Sequence, residues 1–243
     1  VIERVRYDGI ARCSRPFAEG SATRLMFSQL GPGVVRGDSV EISGRVDEGA
    51  HLIVTEQTAT RILGGVLPSQ CRASWTVAAG AILDLRAEPV VAQAPGDHAI
   101  VTIIEAQPGA TVIVRDVAAV ANGARLRLKT LVCIDGRDAF YDAVDLGDDA
   151  PPAVGTFAVI GPTVDVAAFD ACAAAATGVR IGIGTLRHGM FARAIGPSVW
   201  PVREALDALR TLAFGNHAVP AGGPIGENVS SGFWGTHPEW NLQ

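Results

Sequence analysis

The chain has 243 residues, with 48% hydrophobic residues, 19% charged residues and a formal net charge of −5. That length supports a real core, and the composition excludes a disordered chain. The mild acidity gives no electrostatic basis for binding nucleic acid or an anionic membrane, and no apolar run reaches the roughly 18–20 residues of a membrane helix.

The N-terminal stretch VIERVRYDGIARC is charged from its third residue and lacks the apolar segment of a signal peptide. Four scattered cysteines, Cys13, Cys71, Cys133 and Cys172, form no Cys-x-x-Cys pair and read as reduced thiols of a cytoplasmic protein. Next comes GPGVVRGDSVEI, which contains Arg36-Gly37-Asp38. That triplet is either an adhesion signal, which requires export, or the end of a tight loop.

From Val40 to Ile134 the chain reads mostly as strand. Val40–Val46 alternates apolar and polar side chains, as a half-buried strand does. The segments His51–Leu63, Ala73–Ala87, Ala99–Ala106, Thr111–Val120 and Arg125–Ile134 are rich in Val, Ile, Leu and Thr. Gly-Ala recurs directly before four of the runs, at Gly49, Gly80, Gly109 and Gly123. Glycine supplies a turn with positive φ and alanine fits where backbones pass closely, so the recurrence predicts stacked hairpins or coils like those of a β-helix. An Ala-rich chain also repeats Gly-Ala by chance.

The pattern changes after Pro151. Thr163–Thr177 is Ala-rich, starts at a Thr163 or Asp165 cap and stops at Gly178, which predicts a helix. A hairpin comes next over Val179–Gly196, turning at Arg187-His188-Gly189. A second helix starts at Ser198, with Pro201 in its first turn and Val202, Ala205, Leu206, Leu209 and Leu212 on one face. The fold class is therefore mainly β, with stacked sheets and β-helix-like turns plus a pair of helices in the C-terminal half. One β-rich unit is expected over residues 1–214, with helices at about 163–177 and 198–213, and a Gly- and Pro-rich tail over 215–243.

Catalytic signatures are missing from the sequence. There is no nucleophile elbow, no phosphate-binding loop and no complete dinucleotide fingerprint. The five histidines, His51, His98, His188, His217 and His237, form no zinc-ligand spacing, although His188 sits at a hairpin tip. The carboxylates Glu56, Glu88, Asp116 and Asp142 are dispersed through strands. A pair such as Glu56 and Asp142 is the alternative, that of a β-helical hydrolase or lyase acting on carbohydrate.

Five ordered segments together resemble the urease accessory protein family of the D type, called H in some organisms. They are Arg15-Pro16-Phe17, the Gly-rich loop Gly31–Asp38, the strand Val40–Val46, the Gly49-Ala50 turn, and Thr55-Glu56-Gln57-Thr58-Ala59-Thr60-Arg61. Further on, VAAGAILDLRAEPVV and VIVRDVAAVANGARLRLKTLVCIDGR resemble the family's Gly-Ala strand and its Arg-Asp strand with the next hairpin. Arg36 stands where the family usually has Gly, so the resemblance favours the loop reading of Arg36-Gly37-Asp38.

The resemblance implies a non-catalytic scaffold of predominantly β architecture. It implies binding to apo-urease together with a helical accessory protein and an accessory GTPase, and help in delivering nickel to the urease active site. Nickel in transit needs oxygen or imidazole groups that bind weakly at several points, so Ni²⁺ would be transient and no cofactor tightly held. Asp38, Glu88 and Asp116 lie in the family-like segments and are the candidates for that transit. Trp200, Arg203 and Arg210 on the second helix, with Trp234 in the tail, are the candidates for partner docking.

Overall fold

The computed structural model describes residues 2, 6, 9, 11–121, 123–161 and 164–215. The strands begin with β1 (Ala11–Cys13), β2 (Phe17–Glu19), β3 (Ala22–Gln29), β4 (Ser39–Val46), β5 (His51–Glu56), β6 (Thr60–Ile62), β7 (Ser69–Val77) and β8 (Ile82–Arg86). They continue with β9 (Val90–Ala92), β10 (Gly96–Ala106), β11 (Thr111–Val120), β12 (Ala124–Ile134), β13 (Arg137–Leu146) and β14 (Ala153–Ile160). Helix α1 (Val166–Ala175), the hairpin β15 (Arg180–Leu186) and β16 (Gly189–Gly196), and helix α2 (Val199–Gly215) complete the order.

From β3 to β12 the chain alternates between two sheets. β3, β5, β8 and β11 pair in parallel in a large sheet of eleven strands. β4, β7, β10 and β12 pair in parallel in a small sheet of five. Each coil thus stacks on the last, as expected of β-helix-like turns. The recurring Gly-Ala turns are the stacking points. Gly49, Gly80 and Gly109 all adopt φ near +70 to +85°, a region glycine reaches without a Cβ clash. Ala81 and Ala110 behind them are fully buried. Backbone groups at these turns bond one coil to the next: Ile82 N–H donates to the Ala50 carbonyl at 2.8 Å, and Thr111 N–H to the Ala81 carbonyl at 2.9 Å.

The C-terminal end of this stack is closed antiparallel. β13 caps the small sheet, and β14, β16 and β15 extend the large one. A core of Leu25, Val54, Leu83, Val112, Trp75, Ile104 and Val132 fills the space between the sheets. On the far face of the large sheet, Val202, Leu206 and Leu209 of α2 are fully buried against Phe157, Met190, Ala192 and Ala194. Each such side chain contributes roughly 1.5–3 kcal/mol. Gly155 on β14 lets the helix approach, because a Cβ there would lie 2.7 Å from both Leu206 and Val202.

Several sequence-based boundaries need correction. The segment expected as one strand over His51–Leu63 is two, broken at Gln57–Ala59, because the chain steps from β5 to β6 within one coil. Ala73–Ala87 is likewise the end of β7 and the whole of β8, separated by the turn that Gly80 permits. β14 has no counterpart among the expected strands. Every residue of it is buried, since α2 covers one face and the intersheet core the other. Burial on both faces erases the alternation by which strands are read. Asp165 is the cap of α1, accepting from the amides of Ala167 and Ala168. Thr163 and the tail from 216 onward, including Trp234, lie outside the described residues.

Candidate functional site

Between the sheets, at the end bordered by Gly31–Val34, lies a cavity of about 330 Å³. Alternation along the strands selects its walls. On the large sheet, Glu56 ends the inward series Leu52, Val54, Glu56 of β5, and Asp116 follows Val112 and Val114 on β11. Facing them on the small sheet are Cys71, His98, Ile100 and Thr102. Glu88, at the start of the turn after β8, also lines the space.

Burial dominates the electrostatics here. It pushes the Glu56 carboxyl up to about 7; the nearby acids Asp116 and Glu88 add to the rise, while the Glu88 amide, donating to Glu56 Oε2 at 3.2 Å, opposes it. Asp116 is raised to about 6 by burial and then by Asp142, against the pull of Arg115 and the Thr130 hydroxyl. The Cys71 thiol rises to about 11 through burial and the charge of Glu56, so it is protonated at neutral pH. Burial lowers His98 to about 4, which keeps its ring neutral. The result is a partly apolar chamber with two carboxyls that exchange protons near neutrality, a neutral imidazole and a protonated thiol. Such oxygen and nitrogen groups are weak, separated cation acceptors. Among the described residues no three His, Cys, Asp or Glu side chains gather as a metal cage.

Of the three transit candidates, Glu88 and Asp116 share the cavity. Asp38 does not line it. Its Oδ2 accepts from the Val35 amide at 2.9 Å and its own amide donates to the Val35 carbonyl at 3.1 Å, closing a turn over Gly37 at φ +77°. Arg36-Gly37-Asp38 is therefore a structured loop end. Glu88 carries a second set of contacts. Its carboxylate pairs with Arg203 of α2 at 2.8 Å and lies 3.8 Å from Arg115. Arg115 in turn bonds Asp207 of α2. A second cluster holds the same helix: fully buried Asp84 accepts from Arg210 at 2.6 Å and from Arg86 at 2.8 Å, and Arg86 reaches Glu19 at 2.9 Å.

These contacts sort the docking candidates. Trp200 is 52% exposed, with the Arg203 guanidinium 5.3 Å from its ring centre. Arg210 is turned into the fold toward Asp84. The carboxylates of the carbohydrate-acting alternative are not brought to one space. Glu56 lines the cavity, whereas Asp142 on β13 is outside its lining and is bonded to Arg193 and to Thr156.

Sequence reasoning passed over Cys71 and His98. His98 was legible in principle. Extending the strand three residues before Ala99 puts it in phase with Ile100, Thr102 and Ile104.

Comparison with known proteins agrees with the resemblance. A family model described as UreD urease accessory protein matches residues 1–221. The urease accessory protein UreD of Opitutus terrae is 28% identical, over 82% of this chain and 83% of its own length. The urease accessory protein UreD 1 of a Synechococcus species is 39% identical over a shorter stretch, 26% of this chain and 24% of its own. The chain belongs to the UreD family of urease accessory proteins.

Proposed function

We propose that this chain is a non-catalytic maturation factor that binds apo-urease with a helical accessory protein and an accessory GTPase, and that nickel passes through its intersheet cavity. The observation that carries the reading is the facing of Glu56 and Asp116 into one chamber of a UreD-family chain. Two carboxyls raised by burial suit transit better than storage. Near neutral pH each releases its proton to water as a cation binds the carboxylate, and the cation is released when a proton returns from water. The scattered ligand set supports the same conclusion, because a conduit requires steps of similar and modest affinity. Exposed Trp200, stacked by Arg203, supports the first turn of α2 as a docking point, since aromatic and Arg residues dominate protein interfaces.

The test is co-expression with urease subunits and the other accessory proteins. The chain is expected to co-elute with urease on size-exclusion chromatography. Glu56→Gln with Asp116→Asn is expected to leave that complex intact while lowering nickel-dependent urease activity at least about tenfold, the lower end of what losing even an outer-shell partner of a metal ligand costs. Separate elution of folded components overturns the scaffold reading. Full activity of the double variant overturns the conduit.

A further inference from the structure

We infer that His98 is a metal ligand: its Nε2 takes up a divalent transition-metal ion at the end of the cavity beside the 31–38 loop, with Ser69 setting the ring for that task. The inference rests on the metal-transit reading of the cavity and adds a nitrogen site to its carboxylates.

His98 is 1% exposed and lines the cavity from β10. In the small sheet it pairs with Ser69 of β7. Ser69, itself 5% exposed, has its Oγ 2.7 Å from Nδ1. The hydroxyl oxygen can accept, so a ring proton on Nδ1 is bonded to Ser69 Oγ and the lone pair is then on Nε2, free for a ligand. Among the described residues Nε2 has no hydrogen-bond partner, although it is buried. An unsatisfied buried polar atom is costly to keep, and a bound ligand removes that cost.

The chemistry of the ligand follows from the ring. A neutral imidazole whose second nitrogen is held by a hydrogen bond is the usual arrangement of a metal-ligating histidine. Imidazole nitrogen prefers borderline ions of the nickel, copper and zinc group over calcium or magnesium. Asp97 and Asp38 place negative charge near this ring, Asp97 while also paired with Arg127 at 2.8 Å. The Asp38 carbonyl accepts from the Gln70 amide next to Ser69, which ties the 31–38 loop to this end of the cavity.

The experiment titrates NiCl₂ into the full-length chain labelled with ¹⁵N and follows the histidine ring signals by NMR. Before metal, His98 is expected to show the tautomer with its proton on Nδ1. Ni²⁺ is then expected to broaden His98 before His51, His188, His217 and His237. His98→Leu should weaken Ni²⁺ binding at least about tenfold, and Ser69→Ala by about 10- to 100-fold, the effect of losing an outer-shell partner. If His98→Leu does not fold, the wild-type titration and Ser69→Ala decide alone. A proton on Nε2, broadening that starts at another histidine, or equal affinity in wild type and variants overturns the inference. That failure is distinct from failure of the conduit reading, which is judged by urease activity of the Glu56 and Asp116 variants.

Discussion

Asp84 offers the sharpest test of how α2 is held. It is fully buried, and its carboxylate accepts from two guanidinium groups, Arg86 and Arg210, whose side chains are only 10% and 16% exposed. Asp84→Ala leaves both cations facing a desolvated site. Removing one side of a buried ion pair costs about 3–5 kcal/mol, which for a chain of this size is a fall in Tm of about 6–20 °C. Arg210→Ala is expected to cost less, about 1–3 kcal/mol, because Asp84 keeps its bond to Arg86 at 2.8 Å. The double variant Asp84→Ala/Arg210→Ala should cost about 0.5–3 kcal/mol less than the sum of the singles, since the second change removes a charge that the first had stranded. Urea unfolding followed by circular dichroism, at low and high salt, gives these values. The buried pair should show little salt dependence. Strict additivity, or an Asp84→Ala variant within about 1 kcal/mol of wild type, refutes the reasoning.

Glu56 makes stability depend on pH with a definite sign. Its folded pKa of about 7 lies above the ordinary value of 4.5, so the native state holds a proton that the unfolded chain has lost. Stability is full below pH 4.5 as far as this group is concerned and falls as pH rises to about 7; thermal melts of Glu56→Gln should lack that fall, and a wild-type profile parallel to the variant's contradicts it. In the 31–38 loop, Asp38→Ala is expected to cost about 1 kcal/mol by removing the bond to the Val35 amide, whereas Arg36→Ala should stay within about 0.5 kcal/mol. Equal losses in chemical denaturation would show that this loop is not closed by Asp38. Gly155→Val should destabilise by about 1–3 kcal/mol or more through overpacking under Val202 and Leu206, whereas the same change at Gly182, where a Cβ meets nothing, should not; equal unfolding midpoints count against close helix–sheet contact.

Local chemistry was enough for much of the fold. Thr111–Val120 and the hairpin after Val179 carry their own pattern, and α2 announces itself by Val202, Leu206 and Leu209 at helical spacing. The Gly-Ala turns were legible because positive φ needs glycine and a close coil needs alanine, both requirements of single residues. The fold class followed from these, and the family from the resemblance of the five ordered segments between Arg15 and Arg61.

Long-range placement was not legible. Glu56 and Asp116 belong to strands separated by β8 in the large sheet, and nothing in their spacing tells that both point into one cavity with His98 and Cys71 opposite. Glu88 reads in sequence as one of several acids dispersed through strands; the structure puts it in the turn after β8, and only the packing of α2 brings Arg203 to it. Arg210 reads in sequence as a docking candidate on the second helix, and only the buried Asp84 turns it inward. The physical reason is the same in each case. The sequence by itself determines which backbone conformations and which buried faces are cheap, because those depend on neighbours along the chain. The ionisation of Glu56, the neutral ring of His98 and the partners of α2 depend on desolvation and on charges brought together across many residues, and these exist only once the two sheets and the helix have closed on one another.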